Sequence, residues 1–259
     1  GMTFFDDLSA MGTPDCLLWT PGLAKAFEQR YGRSAEALYP ALWEDIGPDT
    51  GAARWALYNT RNEAFAAGYP GLTEAWCQPL GVTSSGHPAG SYNATPLQSP
   101  GDALLFYRYQ GTPLTDYIHY LHHGIDGFKI PASAAYNWDR DLVVCEIYGN
   151  FHQSLPNDGD MLYRAGMECY ARGVNYLLPH GSWYDPAKMA IAPEISWRNP
   201  AYAAELPRFN RWAARCETLL RGGRHVADIG MVYPIADLAA RYNVSEQRPN
   251  WGYGPLPGT

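Results

Sequence analysis

The chain has 259 residues, enough for one large α/β domain, and is 46% hydrophobic and 17% charged, as globular proteins are. Nothing in it approaches the roughly 20 consecutive apolar residues that cross a bilayer, so a membrane partner is not expected. The net charge of −7, with only 19 Lys and Arg, offers no basic track for a phosphate backbone and argues against nucleic acid.

In chain order, residues 2–5 read as a strand. A large helical region follows, covering residues 22–31 and an amphipathic stretch from 52 to 77. Residues 81–85 read as the next strand, 114–122 as a helix, and 126–130 and 142–147 as strands. Helix 160–173, strand 175–179 and helix 203–221 complete the alternation, the two helices ending at Gly173 and Gly222 as helices often do. Residues 226–233 read as a last strand or as the first strand of a following domain, and residues 248–259 as a flexible tail. Strands alternating with helices predict an α/β fold with parallel strands, over residues 1–222, with 223–259 set apart. Nothing at the start has the charged and apolar regions of a signal peptide, so no compartment is assigned.

Leu142 to Cys145 are apolar without alternation, the pattern of a parallel strand covered on both faces. Glu146 therefore stands where the strand leaves the core, and in parallel α/β folds the carboxyl ends of strands carry the chemistry. Strand ends supply Asp6, Asp7, His87, Glu146 and His180. Glu146 suits a base or nucleophile held by a rigid strand, or else a structural ion pair; Asp6 and Asp7 suit a partner acid, or else a helix cap or turn. His87, His180 and Asp126 are candidates for binding sugar hydroxyls or for plain backbone hydrogen bonds. Tyr148 and Trp183, following the Glu146 and His180 strands, are further candidate substrate contacts, since such aromatics stack on sugar rings. His119, His122 and His123 share helical spacing but no nearby Glu occupies the zincin position, and the five dispersed cysteines contain no CxxC pair, so neither metal nor cofactor is expected and the thiols should be buried.

The runs Trp19-Thr20-Pro21, Arg30-Tyr31-Gly32, Ser85-Gly86-His87-Pro88, Gly124-Ile125-Asp126, Cys145-Glu146, residues 171–180 and Ser196-Trp197-Arg198-Asn199-Pro200 occur in this order over residues 2–235. Together they resemble bacterial glycoside hydrolases of the α-L-rhamnosidase type and, more distantly, barrel β-galactosidases. The resemblance implies a (β/α) barrel of which this chain carries strands four to eight, with Glu146 closing strand seven and His180 closing strand eight. It also implies a carboxyl group after strand four, where this chain has Asp6 and Asp7 and relatives more often show an acidic pair ending in Glu. The expected activity is cleavage of O-glycosidic bonds in a carbohydrate substrate; the alternative is a non-catalytic barrel remnant that binds carbohydrate or mediates assembly. A partial barrel exposes strand edges, so a homodimer or an upstream barrel half is expected to cover them.

Overall fold

The computed structural model describes residues 1–8, 19–89, 101–117, 126–149, 159–189 and 191–246, the side chains of Asp126 and Glu246 excepted. His119, His122 and His123 and the tail 248–259 lie outside the described residues. Helices α1 (Pro21–Tyr31) and α2 (Thr50–Cys77) fall where the sequence predicts them. Thr20 caps α1 by accepting from the Gly22 amide, Pro21 enters its first turn, and Gly32 closes it with φ +68°. Then come β1 (Ser85–Gly86), α3 (Ala103–Arg108), β2 (Thr112–Asp116), α4 (Asp126–Asn137), β3 (Val144–Ile147), α5 (Gly159–Ala171) and β4 (Tyr176–Pro179). Helices α6 (Pro200–Ala203), α7 (Leu206–Leu220) and α8 (Ile235–Arg241) follow.

The strands pair in sequence order, β1-β2-β3-β4, and every pairing is parallel. Residues 1–8 extend this sheet beside β1: the Thr3 amide donates to Thr83 O at 3.0 Å, Phe5 to Ser85 O at 3.2 Å and Leu8 to His87 O at 3.2 Å. Parallel bridges Met2 to Thr83 and Leu8 to Pro88 mark the same alignment. Each connection carries a helix, as parallel pairing requires. The molecule is thus an α/β fold with a small parallel sheet and many helices, and among the described residues the sheet is an open arc.

Two adjacent segments depart from expectation. Residues 112–116 form a strand where 114–122 was read as helix, and residues 126–130, read as a strand, begin α4. In α4 the buried residues Phe128, Ala132 and Ala135 recur at helical spacing and pack into one cluster, which overrides the local look of Gly127 to Ile130. Residues 226–233 form no strand: they are irregular, with Val226, Ile229, Met231 and Val232 all more than four-fifths exposed. After them α8 returns to pack on α2 around Leu42, Tyr58, Ile235 and Ala239.

The largest core lies on the helix side of the sheet. Cys145, Ile147 and Leu177 point into it from β3 and β4, and Met161, Leu162, Ala165, Phe209 and Trp212 meet them from α5 and α7. Cys77, Cys145 and Cys169 are buried free thiols, and Cys216 is half-buried. Among the described residues no helix is long and apolar enough to cross a membrane.

Candidate active site

Alternation along a strand sends successive side chains to opposite faces. Because Cys145 and Ile147 enter the helix-side core, Glu146 faces the other way, and the register Asp116 to Glu146 puts both carboxylates side by side on that face. The Tyr117 amide donates to Glu146 O at 2.8 Å and the His180 amide to Ile147 O at 2.7 Å, so the strand ends around Glu146 are fixed by backbone bonds. On the other side, the His87 amide donates to Phe5 O at 3.3 Å, which brings β1 against the Asp6-Asp7 turn.

His87 is the centre of the resulting cluster. Its Nε2 lies 3.0 Å from Asp6 Oδ1 and 3.2 Å from Glu146 Oε2, and its Nδ1 lies 3.6 Å from Asp7 Oδ1 and 3.4 Å from the Pro88 carbonyl. Its side chain is wholly buried, whereas those of Asp6 and Asp7 are about two-thirds exposed. Burial by itself favours a neutral ring; hydrogen bonds to Asp6 and Glu146, with the charges of Asp116 and Glu146, outweigh it and raise His87 to about 10. The hydrogen bond from His87 chiefly lowers Asp6. Asp7 goes the other way: loss of solvent raises it, aided by Asp6 and Glu146 and opposed by His87. The two neighbouring aspartates are therefore shifted in opposite directions.

Asp7 has φ +43° and Tyr148 φ +80°. A left-handed conformation is tolerable for Asp but uncommon for a bulky aromatic, and such outliers concentrate at functional sites. Here one follows each of the two carboxylate-bearing segments.

The sequence-predicted residues separate into groups. Asp6, Asp7, His87 and Glu146 come together. His87, however, has both nitrogens turned to protein acceptors and no exposed surface, so it is not disposed to bind a sugar hydroxyl. His180 stands at the end of β4, close enough for its charged form to lower Asp6. Its ring centroid is 5.9 Å from that of Trp183, and His180 Nδ1 and Trp183 Nε1 are buried with no hydrogen-bond partner among the described residues. Arg198 holds the Trp183 loop by donating to Trp183 O at 2.6 Å while bonding Glu194. Tyr148 is fully buried, donates its hydroxyl to Leu162 O at 2.9 Å and packs on Phe209, which removes it from any substrate surface. The Asp126 side chain lies outside the description, although its backbone opens α4. Asp116, buried at the end of β2, was missed because its segment was read as helix; the strand-end carboxylate rule would have found it once Thr112–Asp116 was recognised as a strand.

Asp6, Asp7 and His87 also bring three potential metal-ligand atoms within 4.8 Å of one another. An imidazolium has no free lone pair, so a cation there would first have to displace the His87 proton.

No protein-family model and no curated protein sequence matches the chain. A solved structure does: a rhamnosidase from Novosphingobium sp. PP1Y superposes with a TM-score of 0.60 at 19% sequence identity, over 82% of this chain and 21% of that one. The likeness is one of fold, and this chain spans about a fifth of the length of that enzyme.

Proposed function

We propose that the chain is the carboxyl-terminal part of a (β/α) barrel and hydrolyses O-glycosidic bonds, with Glu146 as base or nucleophile and Asp7 as the proton donor. The sequential, all-parallel strand order, widened by residues 1–8, supports the barrel arc of strands four to eight. The observation that carries the chemistry is the meeting of Glu146, Asp6 and Asp7 around His87 at the carboxyl ends of neighbouring strands. Glycoside cleavage needs an acid that keeps its proton and a carboxylate that has lost it. Asp7, the carboxyl farther from the His87 ring, is free for the first role; Glu146, held at a rigid strand end 3.2 Å from His87, is placed for the second. One further consequence fits. The carboxylates outnumber the single imidazolium, which favours the positive charge that develops on the sugar ring.

Hydrolysis of nitrophenyl α-L-rhamnoside and β-galactoside by the wild type and by Glu146→Gln tests the reading. Turnover that disappears in the variant supports it; a wild type inactive on a broad glycoside panel, or an active Glu146→Gln, overturns it. One observation favours a second reading, a binding remnant of a barrel enzyme: the His87 ring lies between Asp6 and Glu146, within 3.2 Å of both carboxyl groups. Calorimetric binding of a sugar without turnover would select that reading. Either reading asks for cover on the outer edge of residues 1–8, from a two-fold partner or an upstream barrel half, and light scattering on the purified chain distinguishes a dimer from a monomer.

A further inference from the structure

Among the described residues, the polar atoms facing the His87 ring are carboxyl and carbonyl oxygens. Nε2 faces the carboxylates of Asp6 and Glu146, and Nδ1 faces the Pro88 carbonyl and, slightly farther off, Asp7. A neutral imidazole carries one N–H and one lone pair, so while these carboxyls are ionised either tautomer aims a lone pair at an oxygen, and the doubly protonated ring is the form that satisfies them. The ring is wholly buried and bounded on one side by Phe4, whose centroid lies 6.2 Å away, so water does not replace those partners. Its other charged neighbour is Asp116, in register with Glu146 on the adjacent strand.

We infer that His87 is a positioning residue whose shared Nε2 ties the Asp6 and Glu146 carboxylates together, presenting Glu146 to substrate in a single orientation. The consequence for catalysis rests on the role proposed for Glu146, while the tie itself is a property of the folded chain. It also divides labour within the Asp6-Asp7 pair: Asp6 is spent on His87, and Asp7, whose approach to the ring is longer, remains the group that can transfer a proton. Asp6 thus acts through His87, and the carboxyl pair that flanks a glycosidic bond is Asp7 with Glu146.

The test has one arm that needs no substrate. Nitrogen chemical shifts of the His87 ring, assigned by their loss in His87→Gln, should remain those of an imidazolium to about pH 8.5, far above the ordinary range. In Asp6→Asn and in Glu146→Gln the midpoint should fall, because each removes one acceptor charge and keeps its volume. A wild-type ring that titrates near the ordinary value of 6.5 overturns the inference. The second arm is kinetic. His87→Ala should lower kcat roughly 100-fold, the cost of a misplaced catalytic group, with KM changed by less than about threefold. His87→Gln, which keeps a donor near the place of Nε2, should recover part of that loss. If His87→Ala fails to fold, the two carboxylate variants carry the test alone. A rise confined to KM, or equal losses in both His87 variants, overturns the positioning role. A wild type without glycosidase activity whose ring behaves as expected sinks the proposed function and leaves the tie standing.

Discussion

Along β3, side chains one residue apart meet opposite surroundings. Cys145 and Ile147 are buried among the apolar side chains of α5 and α7, while Glu146 between them faces the His87 ring and the carboxyl groups around it. On the helix side the contacts are numerous, non-directional and interchangeable in chemistry. On the other side a few groups are placed by backbone pairing of residues 1–8, β1, β2 and β3, and each is held by direction and charge. Stability should therefore be concentrated on one face of the strand and chemistry on the other, and substitutions on the two faces should be separable.

The sharpest separation is expected at Glu146. Glu146→Gln should reduce turnover of a glycoside roughly 1,000-fold or more, as loss of a general base or nucleophile does, while the loss of stability stays within what its contact with His87 contributes. Turnover that falls only in proportion to the folded fraction would mean that Glu146 is a structural ion-pair member and nothing more. Next in size is its neighbour. Ile147→Ala should cost about 2 to 5 kcal/mol in denaturant unfolding by opening a cavity in the helix-side core, with activity per folded molecule retained. A change in pH profile in that variant would show that the two faces are coupled.

The third prediction reads the charged face through stability alone. Because His87 is raised from 6.5 to about 10 in the folded state, its contribution is fully present below pH 6.5 and is lost as pH rises toward 10. In that window unfolding free energy should fall by up to about 1.4 kcal/mol per pH unit on this account, the slope for one proton. Asp6→Asn and Glu146→Gln should flatten the slope; an unchanged slope would remove His87 as its source. The smallest effect serves as a control. Asp102 caps α3 by accepting from the Leu105 amide at 3.0 Å, and Asp102→Ala should cost about 1 kcal/mol without altering the pH slope.

What could be read from the sequence follows the same division. The helix-side face is legible: the apolar run before Glu146, the 3.6-residue pattern of α5 and the glycine that follows it are local signals, whereas α2 lacks the amphipathic stripe expected of residues 52–77 and is a helix through burial on several sides. The exchange of strand and helix between residues 112 and 130 was not. Thr112–Asp116 carries a proline and an aspartate, both poor strand residues, and is a strand because β1 and β3 flank it. Pro131, inside α4, weakened the helix signal just where burial of Phe128 and Ala132 decides the matter. At the site, Asp6, Asp7, His87 and Glu146 were all found as strand-end residues, but their partnership was not, since spacings of tens of residues carry no distance information. The role of His87 changed for that reason: a histidine at a strand end reads as a ligand for substrate until its ring is found enclosed by acceptors. Residues 226–233 show the converse error, a run with strand-like composition that has no neighbour to pair with among the described residues.

Gly86 links the two sides of this account. It stands immediately before His87 with φ +146°, its carbonyl accepts from Gln110 Nε2 at 2.9 Å, and a Cβ built on it would lie 2.4 Å from Phe5 O, the atom that receives the His87 amide. Any side chain there would push residues 1–8 away from β1 and carry Asp6 and Asp7 with them. Every single-base missense change of a glycine codon encodes a residue with a Cβ, so the position has no neighbouring genetic solution. Random mutagenesis selected for activity should return silent changes at this codon and nothing else, leaving an immovable point in the gene beside aspartates that point mutation can still explore.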